Sequence, residues 1–225
     1  MRRIYILNIE EIHHVARQEL ILAGLNLKRR EKVLRCRREE DRLRSMAAAA
    51  LLQYGVGRWL EEQHSSLWEN VSWERLEEYF PDHVPSLDIH EGAHGKPYLE
   101  GMPVHFNLSH SGNMVLCGIS DRPIGVDIQK QEAGSHERLW NRYFKGQEKE
   151  LLNCCTSKEE QEAMFYRLWT QKEAYGKLTG EGLTGEQVLE ISPMYESRSL
   201  GICLEEHIPA PGYCAAVCWY AAYPA

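Results

Sequence analysis

Three apolar runs at residues 104–108, 114–120 and 124–128 are separated only by short turns built on Ser111-Gly112-Asn113 and Asp121-Arg122-Pro123. Turns that tight make each run reverse on its predecessor, so the stretch is expected to form an antiparallel meander. Helical periodicity flanks it on both sides. Residues 30–59 carry Val33, Leu34, Leu43, Met46, Ala50 and Leu51 at helical spacing without a proline, which predicts one long helix or two. Residues 158–178 form a second long amphipathic stretch, closed by Thr179-Gly180. Ile4-Tyr5-Ile6-Leu7-Asn8-Ile9 opens the chain as a strand, and residues 213–220 close it as another. Each half therefore holds strands and a long helix. The fold class expected is α+β in two units, residues 1–105 and 106–225, with turn-rich chain around residues 81–103 before the boundary and no close internal repeat.

A chain of 225 residues can bury a core of this size, and 43% hydrophobic with 26% charged residues is the balance of an ordinary globular protein. The apolar stretch after Arg2-Arg3 is broken by Asn8 and Glu10, too soon for a signal-peptide core, and no run reaches the length of a membrane span. Seven cysteines without regular spacing read as reduced thiols, with Cys117, Cys214 and Cys218 expected in the core. These readings predict a cytoplasmic protein with no membrane partner.

A net charge of −7 argues against general nucleic-acid binding. One segment runs the other way: between Lys28 and Arg44, lysines and arginines outnumber Glu31, Glu39, Glu40 and Asp41. Read alone, that is a solvated, salt-bridged helix face.

Period-two alternation puts Asp127 and Gln129 on one face of a strand end, with Val126 and Ile128 facing the core. Two oxygen donors then share one space. In 169–183, Trp169, Glu173 and Lys177 share a helix face with Lys172 beside them; read alone, Glu173 and Lys177 are an ordinary surface pair. Phe106-Asn107-Leu108-Ser109-His110-Ser111-Gly112 sets hydroxyls and an imidazole at a strand-to-turn junction, where side chains and backbone N–H groups can hold phosphate. Hydrolase chemistry is a poor fit, because there is no G-x-S-x-G elbow. A phosphate loop of the Walker type and paired Cys/His spacing for zinc are also missing from the sequence.

In order, Gly95-Lys96-Pro97, Asn107-Leu108-Ser109-His110-Ser111, Gly125-Val126-Asp127-Ile128-Gln129 and Trp169 through Gly182 resemble the signature series of the Sfp-type 4′-phosphopantetheinyl transferases. The resemblance covers nearly the whole chain. It implies two similar α+β halves related by a pseudo-twofold, with the active site in the cleft between them. It also implies an enzyme that moves phosphopantetheine from coenzyme A to a serine of an acyl or peptidyl carrier protein, releasing adenosine 3′,5′-bisphosphate. Polyketide or nonribosomal peptide synthesis is the setting such enzymes serve, and a monomer is expected.

By that resemblance Asp127 and Glu173 match metal carboxylates for Mg²⁺, with Mn²⁺ as an alternative. Lys172 and Lys177 match lysines beside the coenzyme A phosphates and pantetheine arm. Lys96, Ser109 and His110 match phosphate-holding positions. Arg29, Lys32 and Arg44 fall among the nucleotide-phosphate cations, and Ser45 falls near the adenine. Tyr143-Phe144-Lys145-Gly146-Gln147-Glu148 resembles an aromatic-pair-then-glutamate pattern, which makes Glu148 the candidate base for the carrier serine. One departure stands out. Gln129 occupies a position where the family often has glutamate, so it supplies an oxygen donor without charge. A non-catalytic module that binds coenzyme A or carrier proteins is the alternative reading.

Overall fold

A computed structural model describes residues 1–61, 68–80, 87–92, 95–134, 136–183 and 201–222. The chain divides into two units, Met1–Asp121 and Arg122–Ala225.

In the first unit, β1 (Arg2–Asn8) runs parallel to β2 (Trp68–Asn70) and antiparallel to β6 (Met114–Ser120), which pairs in turn with β5 (His105–Ser111). The helices are α1 (Val15–Gly24), α2 (Leu27–Leu34), α3 (Glu39–Leu60) and α4 (Trp73–Tyr79). α3 lies on the sheet through β1, β5 and β6. The buried run Ala47-Ala48-Ala49-Ala50 goes round the helix, and small side chains on all sides let its neighbours come close to its backbone. The helical periodicity of residues 30–59 resolves into two helices. The Asn26 side chain accepts from Arg29 N at 2.9 Å to start α2, and the chain re-enters helix only after Arg38. A separate hairpin pairs β3 (Ile89–Glu91) with β4 (Pro97–Leu99).

In the second unit, β7 (Ile124–Lys130), β8 (Ile202–His207) and β9 (Tyr213–Tyr220) form an antiparallel sheet in the order β7-β9-β8. Helices α5 (Glu137–Tyr143), α6 (Gly146–Asn153) and α7 (Lys158–Thr179) complete it, and α7 packs along β7 and β9. Ser157 caps the start of α7 by accepting from Glu160 N at 3.1 Å. Gly180, at φ +82°, ends it in the left-handed conformation that the Thr179-Gly180 signal predicted.

Two expectations need correction. β5 and β6 form the expected hairpin, but β7 does not extend it into a meander. β6 is already hydrogen-bonded on one side by β1 and on the other by β5, so it has no free edge to offer. β7 pairs with β9 instead. For the same reason the division falls at 121/122 rather than 105/106, since β5 and β6 belong to the sheet of β1.

Candidate active site

Gly125 decides how closely β7 approaches α7. A Cβ there would sit 2.0 Å from Ala174 O and 2.4 Å from Leu178 N, so only glycine permits this contact. The approach sets the polar side of β7 against the Glu173 and Lys177 face of α7.

Asp127 is the centre of the resulting group and is buried. Lys177 Nζ lies 2.6 Å from its Oδ1, and Gln129 Nε2 donates to its Oδ2 at 2.9 Å. The latter bond follows from the shared strand face read from the sequence. Burial, and then the Asp127 charge, push the Glu173 carboxyl above the usual carboxylate range, with Lys177 partly opposing. A buried and a half-buried carboxylate that repel each other, with the Gln129 amide nearby, offer oxygen donors of the kind a hard divalent cation takes, Lys177 meeting part of the Asp127 charge in the meantime. Asp127, Glu173 and Gln129 therefore fit Mg²⁺.

Lys172 and Glu148 form a second group. Lys172 Nζ lies 2.8 Å from Glu148 Oε1, with side-chain exposures of 1% and 0%. Glu148 Oε2 accepts from Lys145 N at 2.9 Å, which holds the carboxylate at the start of α6. Beneath them Phe144, Phe165 and Trp169 pack together, and the Lys172 ammonium stands 5.6 Å over the Phe144 ring. Trp169, read as sharing the Glu173 stripe, thus belongs to the aromatic floor.

The other residues predicted to bind coenzyme A, apart from Lys172 and Lys177, lie in the first unit. Arg29 and Lys32 line a cavity of about 500 Å³ together with Lys28, with Gly95 and Pro97, the neighbours of Lys96, with Phe106 and Leu108, and with the acidic Asp88 and Glu91 at the hairpin side. Burial lowers the pKa of both Arg29 and Lys96. Arg29 reaches Ser45 O at 3.5 Å, yet its Nε is closed to solvent and makes no hydrogen bond. A half-buried guanidinium whose Nε is closed to solvent and orphaned is arranged to meet an anion. Arg44 is placed differently: it donates to Gly112 O at 2.9 Å and Asp41 Oδ1 at 2.7 Å, beside the turn that follows Ser109 and His110. Ser109 is buried and His110 exposed, as alternation along β5 requires.

Sequence reasoning missed the Lys145 N–H, the Gly112 carbonyl and the contact enforced by Gly125. Backbone partners carry no side-chain signal, and the glycine's role depends on a helix about fifty residues away. A larger cavity of about 1010 Å³ in the second unit, between the end of α6, α7 and the start of β9, contains none of the predicted site residues. Among the described residues no helix is long and apolar enough to cross a membrane.

Residues 123–218 match the model of the 4′-phosphopantetheinyl transferase superfamily. The 4′-phosphopantetheinyl transferase Sfp of Bacillus subtilis (strain 168) is 29% identical over 216 residues, covering 92% of this chain and 86% of that protein. A 4′-phosphopantetheinyl transferase of Bacillus subtilis is 27% identical over 168 residues, 74% of this chain and 65% of its own length. The 4′-phosphopantetheinyl transferase psf-1 of Bacillus pumilus is 41% identical over 94 residues, 41% of this chain and 39% of its own. The match thus spans less than two thirds of the latter two relatives. Residues 123–218 hold β7, α6 and α7, the elements that carry both second-unit groups.

Proposed function

We propose that this chain, whose residues 123–218 belong to the 4′-phosphopantetheinyl transferase superfamily, transfers 4′-phosphopantetheine from coenzyme A to a serine of an apo acyl or peptidyl carrier protein. The observation that carries the reading is the Asp127 group. Lys177 and Gln129 both bond Asp127, and Glu173 is kept above its usual range by burial and by the Asp127 charge. Such a group suits a pyrophosphate and its cation.

The carrier serine Oγ attacks the β-phosphorus of coenzyme A, and the bond to adenosine 3′,5′-bisphosphate breaks as the new ester bond forms. Glu148 takes the serine proton. Lys172, fixed by Glu148, meets the negative charge that builds on the transferring phosphate and the leaving group. Lys177 steadies the Asp127 end of the site. Asp127, Glu173 and the Gln129 oxygen would hold Mg²⁺, or Mn²⁺ in its place, which would supply charge neutralisation at the pyrophosphate. Arg29, Lys32 and Lys96 bind the nucleotide phosphates with Ser45 by the adenine, and Arg44, Ser109 and His110 hold the remaining phosphate oxygens. The enzyme works as a cytoplasmic monomer on carriers of polyketide or nonribosomal peptide synthesis.

Mass spectrometry of an apo carrier protein incubated with the chain, coenzyme A and Mg²⁺ tests this. A phosphopantetheine-sized gain that Asp127→Ala and Glu173→Ala both lose is the expected result. Coenzyme A binding without any gain across several carriers would favour the non-catalytic binding module.

A further inference from the structure

The hairpin of β3 and β4 carries a group of side chains, Asp88, His90 and Glu100, to which the transfer reaction gives no role, although Asp88 also borders the cavity of Arg29 and Lys32. Ile89 pairs with Leu99, and Glu100 N donates to Asp88 O at 3.4 Å, so Asp88 and Glu100 stand directly opposite each other. His90, two residues after Asp88, projects from the same face. Its Nε2 lies 3.0 Å from Asp88 Oδ2 and 3.2 Å from Glu100 Oε2. All three donor atoms fall within 4.8 Å of one another.

Two features set this group apart from a surface ion pair. Like charges directly opposite on paired strands repel, so a cation held between Asp88 and Glu100 would be favourable. His90 does not supply it through hydrogen bonds: its Nε2 is closed to solvent and makes none, although two carboxylate oxygens are within reach. The ring nitrogen points into the group without being aligned on either oxygen. Donor atoms about 2 Å from a tetrahedral zinc ion stand about 3.3 Å apart, close to the separations found here. Tyr98, opposite His90 on β4, holds the imidazole by a tilted ring contact at 5.7 Å between centroids.

We propose that Asp88, His90 and Glu100 form a binding site for a divalent transition-metal ion of the zinc class. One imidazole with two carboxylates selects such an ion over Mg²⁺, which prefers the all-oxygen donors around Asp127. The carboxylates are exposed by 75% and 64%, so further coordination positions stay open to water. The ion ties β3 to β4 across the turn that holds Lys96. Asp88 also lines the cavity of Arg29 and Lys32, but zinc binding is read without coenzyme A or carrier protein, so its test stands or falls separately from the transfer reaction.

Calorimetric titration of zinc chloride into the metal-free full chain, with excess Mg²⁺ present, tests the site. The expected result is one zinc bound per chain, with affinity reduced at least about tenfold in His90→Ala and Glu100→Gln, since loss of even an outer partner costs that much. Asp127→Ala should bind zinc as wild type does. Zinc should raise the melting temperature of wild type and leave that of His90→Ala unchanged. Should His90→Ala melt early without metal, Asp88→Asn, at an exposed position, carries the test. Absence of zinc binding by wild type, or equal binding by the three variants at the hairpin, would overturn the proposal.

Discussion

Lys172 Nζ and Glu148 Oε1 sit 2.8 Å apart with both side chains closed to solvent. Removing one partner of such a pair strands the other charge in the interior. Lys172→Ala should therefore destabilise the protein by about 3 to 5 kcal/mol, while the double variant Glu148→Gln, Lys172→Met should recover much of that loss. Chemical denaturation of the three proteins checks it. Glu148→Gln alone should lower the transfer rate by about 10² to 10⁴ if Glu148 takes the serine proton.

A methyl group at position 125 would meet the α7 backbone at Ala174 O and Leu178 N, neither of which can turn aside. Gly125→Ala should cost about 1 to 3 kcal/mol or more and separate Asp127 from Glu173 and Lys177. A lower melting temperature together with weaker Mg²⁺ binding would bear this out. An unchanged melt would show that β7 and α7 are not in this contact.

The strand alternation around Asp127 and the helical spacing of Glu173 and Lys177 were each legible in the sequence, because both follow from local periodicity. Val126 and Ile128 are buried as that periodicity required, though Asp127 is buried too. What joined the strand to the helix was legible only through the family resemblance, since Asp127 and Lys177 are fifty residues apart. The failed meander has the same origin. Runs at 104–108, 114–120 and 124–128 look alike locally, but β1 occupies the edge of β6 that β7 would need, and no short window of sequence contains β1. Periodicity also predicted one surface for the basic segment, where the structure separates a half-buried Arg29 from an exposed Lys32.

Arg29 pairs a buried, orphaned Nε with a cavity of about 500 Å³. Arg29→Ala should weaken binding of adenosine 3′,5′-bisphosphate by about tenfold or more, the worth of a charge-assisted hydrogen bond. Arg29→Lys should recover only part, because a point charge does not reproduce the planar guanidinium. Calorimetry with the bisphosphate alone measures this apart from catalysis.

In the proposed metal group Gln129 would supply an uncharged oxygen, while its amide nitrogen donates to Asp127 Oδ2 at 2.9 Å. Gln129→Glu replaces that donor with a third carboxylate. Mg²⁺ affinity should rise, and the metal-free protein should melt lower because three like charges then share the site. Titration of Mg²⁺ paired with melts in chelator separates the two effects; loss of affinity would mean that position 129 lies outside the metal's reach.

The Glu173 carboxyl is raised by burial and by Asp127, so the folded chain binds its proton more tightly than the unfolded chain does. Between the unfolded value and the raised folded value, the folded state holds more protons. Stability of the metal-free protein therefore falls as pH rises through that window, and the contribution of Glu173 is fully present only below the unfolded value. Glu173→Gln removes the titration and should flatten this part of the stability profile. Mg²⁺ favours the ionised carboxylate, so adding it should also flatten the profile in wild type and should leave Glu173→Gln little changed. Denaturation midpoints across weakly acidic to neutral pH, with and without Mg²⁺, give the four curves. A wild-type profile that matches Glu173→Gln in the absence of metal would mean that Glu173 ionises in the folded chain as freely as in the unfolded one.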